Sequence, residues 1–320
     1  SMSDVINQIG NIGVVPVIKI DHAKDAVPLA KALLAGDLPV AEVTFRTSAA
    51  EESIRQISKE VPGMLVGAGT VLTVEQVKKA TAAGAKFIVS PGFNPKVVEY
   101  CVKENIPITP GINNPSGIEA ALEYGLKVLK FFPAENSGGL PMLKAMAAPY
   151  TEVSFIPTGG INPANITSYL SWNKIVAVGG SWMVPGDVIS AGKFDEITRL
   201  ASEAVSLVHG FELLHVGMNT ENEGEAKKVA ELLSKFFKLP LKDGNSSIFS
   251  GKAFEIMKKQ YLGTHGHIGI AANSVERAVA YFATKGIGIK ADTAKVEGGV
   301  MKVVYLDVEI GGFAFHISRK

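Results

Sequence analysis

The 320-residue chain predicts an α/β fold class: a TIM (β/α)8 barrel over residues 1–208, followed by a smaller α+β domain of paired βαβββ modules over residues 209–320. Three observations carry this expectation. From Val14 to about Val178, short apolar runs alternate with longer amphipathic segments, as in a parallel sheet wound with helices. Five of the six histidines fall after residue 208, where the alternation gives way to strand, helix and then several strands. That second pattern occurs twice, and its two copies align residue by residue.

Taken in order, the apolar runs predict strands at Val14–Ile20, Val40–Phe45, Met64–Gly67, Lys86–Val89, Pro107–Thr109, Val128–Phe132, Val153–Ile156 and Ile175–Val178. Between them, helical patterns fall at Ala26–Leu34, Ser53–Glu60, Val74–Ala83, Pro95–Glu104, Ser116–Tyr124 and Pro163–Leu170. A last helix, roughly Phe194–Leu207, closes this unit, and His209-Gly210 marks the boundary. Beyond it, His215-Val216-Gly217-Met218-Asn219 matches His267-Ile268-Gly269-Ile270-Ala271, each followed by a helix (Glu223–Phe237 and Val275–Lys285). The modules end alike, because Gly251–Lys258 aligns without gaps to Gly312–Arg319, and this indicates an internal duplication of about 50 residues.

Bulk properties narrow the function classes. Apolar residues make up 47% of the chain, ample for two cores, and Lys+Arg 32 against Asp+Glu 31 leaves a charge of +1. This balance provides no electrostatic footprint for nucleic acid or an anionic membrane, so neither is an expected partner. The single cysteine, Cys101, excludes an internal disulfide, fits a reducing compartment and sits in a helix-like core setting. No leader pattern opens the chain and no run reaches membrane-span length, so the expected location is cytoplasmic. Ser1 ahead of Met2 reads as a residue left by tag removal.

The chemistry centres on Val128-Leu129-Lys130-Phe131-Phe132-Pro133-Ala134-Glu135, where one lysine stands in an apolar strand. Burial disfavours its ammonium form, and a neutral amine attacks a ketone to form a Schiff base. The alternative is a strand-end lysine snorkelling to the surface. Two glycine-rich segments, Pro157-Thr158-Gly159-Gly160-Ile161-Asn162-Pro163 and Val178-Gly179-Gly180-Ser181-Trp182, follow the last two apolar runs, where barrels place phosphate-binding loops. Plain turns are the competing reading. In Val40–Arg46, period-two alternation puts Glu42, Thr44 and Arg46 on one face, for proton transfer and a grip on a carboxylate if that face is inward, or a rim salt bridge if it is not. Gly67-Ala68-Gly69-Thr70-Val71 and Ser90-Pro91-Gly92 supply small-residue turns, either a pocket wall or ordinary strand-to-helix turns with Thr70 near a cap.

These motifs occur in order and together resemble the 2-keto-3-deoxy-6-phosphogluconate aldolases, which often also act as 4-hydroxy-2-oxoglutarate aldolases; the resemblance spans about residues 4–208. It implies a class I aldehyde-lyase that needs no cofactor and takes a small-molecule 2-keto acid phosphate. Lys130 would form the Schiff base and Glu42 would carry protons. Arg46 and Thr70 would hold the pyruvyl carboxylate, with Pro91, Phe132 and Thr158 lining the site, and Gly159, Gly160, Gly180 and Ser181 would take the phosphate. The family resemblance also implies a homo-oligomer, a trimer. A sibling that cleaves the phosphogalactonate isomer shares the barrel and the lysine, which leaves the C4 stereochemistry open. A metabolite-binding protein on a dead barrel is the reading from a different class, and retention of Lys130, Glu42 and Arg46 argues against it.

The paired modules resemble the glyoxalase and dioxygenase superfamily, the vicinal oxygen chelate fold, whose first and last module strands supply metal ligands. The resemblance maps the ligands to His215, Glu255, His267 and His316, a set suited to Zn, Ni, Mn or Fe with open positions for substrate oxygens. His316 replaces the glutamate common at that place and the modules are short, which puts glyoxalase activity in doubt. A metal-free binding, regulatory or oligomerisation module is the alternative, and His265 reads as a loop residue.

Overall fold

A computed structural model describes residues 1–320, which divide into two compact units, Ser1–Val208 and His209–Lys320. In the first, eight parallel strands alternate with helices: β1 (Val14–Ile18), β2 (Val40–Thr44), β3 (Leu65–Gly69), β4 (Ile88–Ser90), β5 (Ile108–Ile112), β6 (Val128–Phe131), β7 (Ser154–Pro157) and β8 (Val178–Gly180). Their order is β7-β6-β5-β4-β3-β2-β1-β8, and single bridges Phe155–Ile175 and Thr158–Gly179 join the two ends into a nearly closed barrel. β2, β3 and β5 are buried on both faces, as expected of strands with helices outside and a packed interior.

The helices around this barrel are α1 (Met2–Ile12), α2 (Ala26–Ala35), α3 (Ala50–Glu60), α4 (Val74–Ala83), α5 (Pro95–Lys103), α6 (Pro115–Glu123), α7 (Gly139–Ala147), α8 (Ile166–Leu170), α9 (Gly186–Ser190) and α10 (Phe194–His209). Their starts follow local chemistry: Asn94 and Asn114 cap α5 and α6 with proline at the first position, and Thr73 caps α4. α3 buries Ala50, Ser53, Ile54 and Ile57, an i, i+3, i+4, i+7 stripe.

The structure corrects the sequence reading at three points. α1, α7 and α9 were not anticipated, and Ser1 closes a capping box with Asp4 at the start of α1. Strand bounds shift as well: the third strand runs on to Gly69 and the fifth to Ile112, past the expected Gly67 and Thr109, and the fourth is Ile88–Ser90 rather than Lys86–Val89. The eighth is Val178–Gly180 rather than Ile175–Val178, because its glycines, which look like a loop, pair in register with Val15 and Pro16 of β1.

The second unit repeats one module: β9 (Glu212–Met218), α11 (Glu223–Phe237), β10 (Leu241–Asp243), β11 (Ser247–Ser250) and β12 (Phe254–Met257), then β13 (Gly266–Ala272), α12 (Val275–Thr284), β14 (Ile289–Glu297), β15 (Val300–Ile310) and β16 (Phe313–Arg319). One eight-stranded mixed sheet results, ordered β10-β11-β12-β9-β13-β16-β15-β14. β9 and β13 run antiparallel at its centre, while β12 lies parallel to β9 and β16 parallel to β13, so the halves are related by an approximate twofold. Each half buries its own small core, Ala226, Ala230, Ile248 and Ile256 in one, and Ala272, Val275, Ala278, Val304, Leu306 and Ile317 in the other. No helix of the chain is long and apolar enough to cross a membrane.

Candidate functional site

β6 brings Lys130 into the barrel in register with Gly111 of β5 and Ile156 of β7, leaving it 6% exposed with its ammonium 4.6 Å from the centre of the Phe132 ring. Glu42, 5% exposed on β2, lines the same inner cavity together with Thr109 and Thr158. That cavity holds about 10 Å³, roughly the room for one water. Burial pushes the Lys130 amine below its ordinary value; Glu42 opposes the shift and Arg46 adds to it. Burial pushes the Glu42 carboxyl up, against the opposing charges of Lys130 and Arg46. Oε2 of Glu42 is buried without a hydrogen-bond partner from the protein, so the carboxylate of this cavity-lining residue keeps an unused acceptor. It leans across β3 over Gly69, where a Cβ would come within 2.2 Å of Oε2.

Toward the C-terminal strand ends lies an outer pocket of about 310 Å³, whose walls include Thr44, Arg46, Phe132, Thr158, Gly159, Gly160, Gly180 and Ser181. Thr158 and the β2 face that carries Glu42, Thr44 and Arg46 therefore connect the two spaces. Gly159 (φ 106°) and Gly160 (φ 77°) adopt the left-handed conformation that glycine tolerates. The segment after β6 braces them: the Ala134 and Glu135 amides donate to the Thr158 and Gly159 carbonyls at 2.8 and 3.0 Å. Glu135 in turn accepts from the Tyr169 hydroxyl and from Asn165 Nδ2, which also donates to the Gly160 carbonyl at 2.9 Å.

Two residues named from the sequence stand apart. Thr70, at φ 53° after β3, lines neither cavity, and Pro91 lines a separate pocket of about 290 Å³ that Phe132 also borders. Three features were missed. The Glu135–Tyr169–Asn165 brace depends on distant segments, and Thr109 reaches the inner cavity from β5. Lys19 lines the outer pocket, and its signal was present in the alternation Val15, Val17, Lys19.

A sequence profile of the aldolase family described as KDPG and KHG aldolase matches residues 5–200. The chain belongs to this aldolase family. It is 49% identical over 207 residues to the 2-dehydro-3-deoxy-phosphogluconate aldolase of Treponema pallidum (strain Nichols), which covers 65% of this chain and 99% of that protein. Crystal structures of the 2-keto-3-deoxy-6-phosphogluconate aldolase of Zymomonas mobilis ZM4 with 3-phosphoglycerate (45% identity, 65% of this chain and 97% of that one) and of the Legionella pneumophila KDPG aldolase with pyruvate captured as a covalent carbinolamine (41%, 62% and 97%) both superpose with a TM-score of 0.60.

The family match ends before the second unit of this aldolase, whose central strands form a site of their own. Antiparallel pairing sets His267 of β13 opposite Gly217 of β9, and His215 of β9 opposite Gly269 of β13. The flanking strands extend both rows, with Glu255 beside Gly217 and His316 beside Gly269. The two histidine–glycine pairs clear space for the rings: a Cβ at Gly217 would meet His267 at 2.1 Å, and one at Gly269 would meet His316 at 2.8 Å. Four donor atoms converge as a result. Nε2 of His215 lies 3.0 Å from Nε2 of His267, 3.1 Å from Nε2 of His316 and 3.2 Å from Oε2 of Glu255, which is itself 2.9 Å from Nε2 of His267. Burial pushes the Glu255 carboxyl up, but hydrogen bonds to His215, His267 and Ser247 outweigh it and hold the group well below the usual carboxylate range. Burial, then the neighbouring histidines, holds His316 down to about 3. Behind the donors, Ser247 donates to Glu255 at 2.8 Å and Ser318 pairs with Nδ1 of His316 at 3.0 Å, the outer contacts that orient ligands in metal sites.

Proposed function

We propose that the barrel cleaves 2-keto-3-deoxy-6-phosphogluconate to pyruvate and glyceraldehyde 3-phosphate, and 4-hydroxy-2-oxoglutarate to pyruvate and glyoxylate, through a Schiff base on Lys130. The observation that carries this reading is the enclosure of Lys130 and Glu42 in one small cavity, with a pKa displaced toward the neutral amine in one case and toward the carboxylic acid in the other. The neutral Lys130 amine adds to the C2 carbonyl, and the protonated Glu42 gives its proton to the carbinolamine hydroxyl, so that water leaves, an iminium ion forms and Glu42 becomes a carboxylate. Glu42 takes the C4 hydroxyl proton; the C3–C4 bond breaks, its electron pair enters the iminium to form an enamine, and the aldehyde leaves. Glu42 then returns the proton to C3, and water releases pyruvate from the lysine. A carboxyl raised by burial suits both proton transfers. Arg46 faces the substrate carboxylate as a charge-assisted donor, while Gly159, Gly160, Gly180 and Ser181 offer amides and a hydroxyl to the phosphate. Incubation with pyruvate and borohydride, followed by peptide mapping, tests the assignment: the adduct is expected on Lys130, and an unmodified Lys130 would overturn it.

We further infer that the second unit binds a divalent ion through His215, Glu255, His267 and His316. Donors about 2.1 Å from an ion stand about 3.0 Å apart when cis in an octahedron and about 3.4 Å apart in a tetrahedron. The four separations of 2.9 to 3.2 Å about His215 and Glu255 match cis positions of an octahedral arrangement, which leaves two positions for oxygen ligands. A bound ion would supply Lewis acidity toward such oxygens. Metal content after reconstitution with Zn, Ni, Mn or Fe(II) is expected to reach one ion per chain, and no stoichiometric uptake of any of them would remove the reading.

A further inference from the structure

The outer pocket of the barrel has two cationic side chains in its wall, Arg46 and Lys19, and the proposed substrate has two anionic groups, a carboxylate and a phosphate. Arg46 extends the β2 face that begins at Glu42. Lys19 directly follows β1: Val15 lines the inner cavity, and Val17, Ile18 and Lys19 follow one another along the outer pocket, with Val15, Val17 and Lys19 sharing one face of the strand's alternation. Lys19 is the next residue on the inward face. β1 lies between β2 and β8, and Pro16 pairs with Gly180, so Lys19 leaves its strand beside the loop that bears Gly180 and Ser181. Its side chain is 57% exposed with one distant ionic neighbour, Asp21 at 3.9 Å, leaving it free to swing over the pocket mouth.

We propose that Lys19 is a substrate-binding residue whose ammonium pairs with the substrate phosphate and gives the enzyme part of its preference for phosphorylated substrates. The inference rests on the assignment of the glycine loops to phosphate. A lysine suits this role as a mobile point charge, complementing amides that are fixed in direction.

The test compares kcat and KM for 2-keto-3-deoxy-6-phosphogluconate and for unphosphorylated 2-keto-3-deoxygluconate in the full chain, with Lys19→Met, Lys19→Arg and Ser181→Ala. Lys19→Met is expected to raise KM for the phosphorylated substrate about tenfold at low ionic strength with little change in kcat, and to leave kcat/KM for the unphosphorylated one unchanged. Lys19→Arg is expected to keep the preference. An unmoved preference in Lys19→Met while Ser181→Ala loses it overturns the lysine's role alone. An unmoved preference in both variants overturns the phosphate assignment and the lysine with it.

Discussion

Gly69→Ala is the sharpest probe of the barrel chemistry, because the structure gives the size of the disturbance. A Cβ at this position would stand 2.2 Å from Glu42 Oε2, about 1.2 Å short of the 3.4 Å at which ordinary contact begins. Gly69 has an ordinary backbone conformation, so alanine adds no φ strain, and the clash is relieved by pushing the carboxylate aside. A misplacement of about 1 Å costs on the order of 10² in rate, about 2.7 kcal/mol of transition-state stabilisation. Cleavage should therefore fall about a hundredfold, read as kcat in a coupled pyruvate assay, while pyruvate trapping on Lys130 persists because the amine has not moved. The double variant Gly69→Ala with Glu42→Gln should be little slower than Glu42→Gln alone, since the two lesions disable one group. A Gly69→Ala enzyme that turns over like wild type would refute the claim that Glu42 acts from the position seen here.

Three further outcomes are expected. Glu42→Gln removes the charge that raises the Lys130 pKa, so the acidic limb of the pyruvate-trapping profile should move to lower pH while cleavage drops by about 10² to 10⁴; a limb moving to higher pH contradicts the pairing. Glu135→Ala strips the acceptor from buried Tyr169 and loosens the Gly159–Gly160 loop, which should cost about 1–3 kcal/mol in a denaturation experiment and raise KM for the phosphorylated substrate, with Glu135→Gln retaining most of both; equal damage in the two variants argues against the acceptor role. Gly217→Ala would press a Cβ to 2.2 Å from Nδ1 of His267 and should weaken metal uptake at least about 10- to 100-fold by calorimetry, whereas Gly288→Ala, with open space around it, should bind like wild type; equal affinities in the two variants would falsify the metal centre.

The barrel was legible because its strands are apolar runs and its key charges interrupt them: Lys130 and Glu42 stand out as charges in segments that otherwise read as core. α7 was hidden by Gly139-Leu140-Pro141, which reads as a turn, and β8 by Gly179-Gly180, whose place in the sheet is set by pairing with β1 rather than by side-chain hydrophobicity. Thr70 and Pro91 belong to recognisable motifs, yet their positions depend on how the chain leaves β3 and β4, which alternation along a strand does not encode. In the second unit the repeat made the four donors visible as equivalents. That His215 and His267 each face the other's glycine follows only from the antiparallel pairing of β9 with β13, a contact between residues 52 apart in sequence.

The two units place their reactive groups by a shared physical device. Same-face neighbours on adjacent strands have Cβ atoms about 5 Å apart, too close for a carboxylate or an imidazole to lie across the next strand when that strand carries a side chain. Gly69 removes the obstruction beneath Glu42, and Gly217 and Gly269 remove it beneath His267 and His316. The groups can then converge within the sheet's own spacing, Glu42 into the cavity of Lys130 and the histidines to 3.0 and 3.1 Å about His215. A glycine in these strands therefore weakens the backbone slightly in exchange for bringing charges or lone pairs closer together than a filled sheet allows. On this argument the motifs Gly67-Ala68-Gly69 and His-x-Gly are alike for one reason: the side chain that crosses the strand and the missing one occupy the same volume.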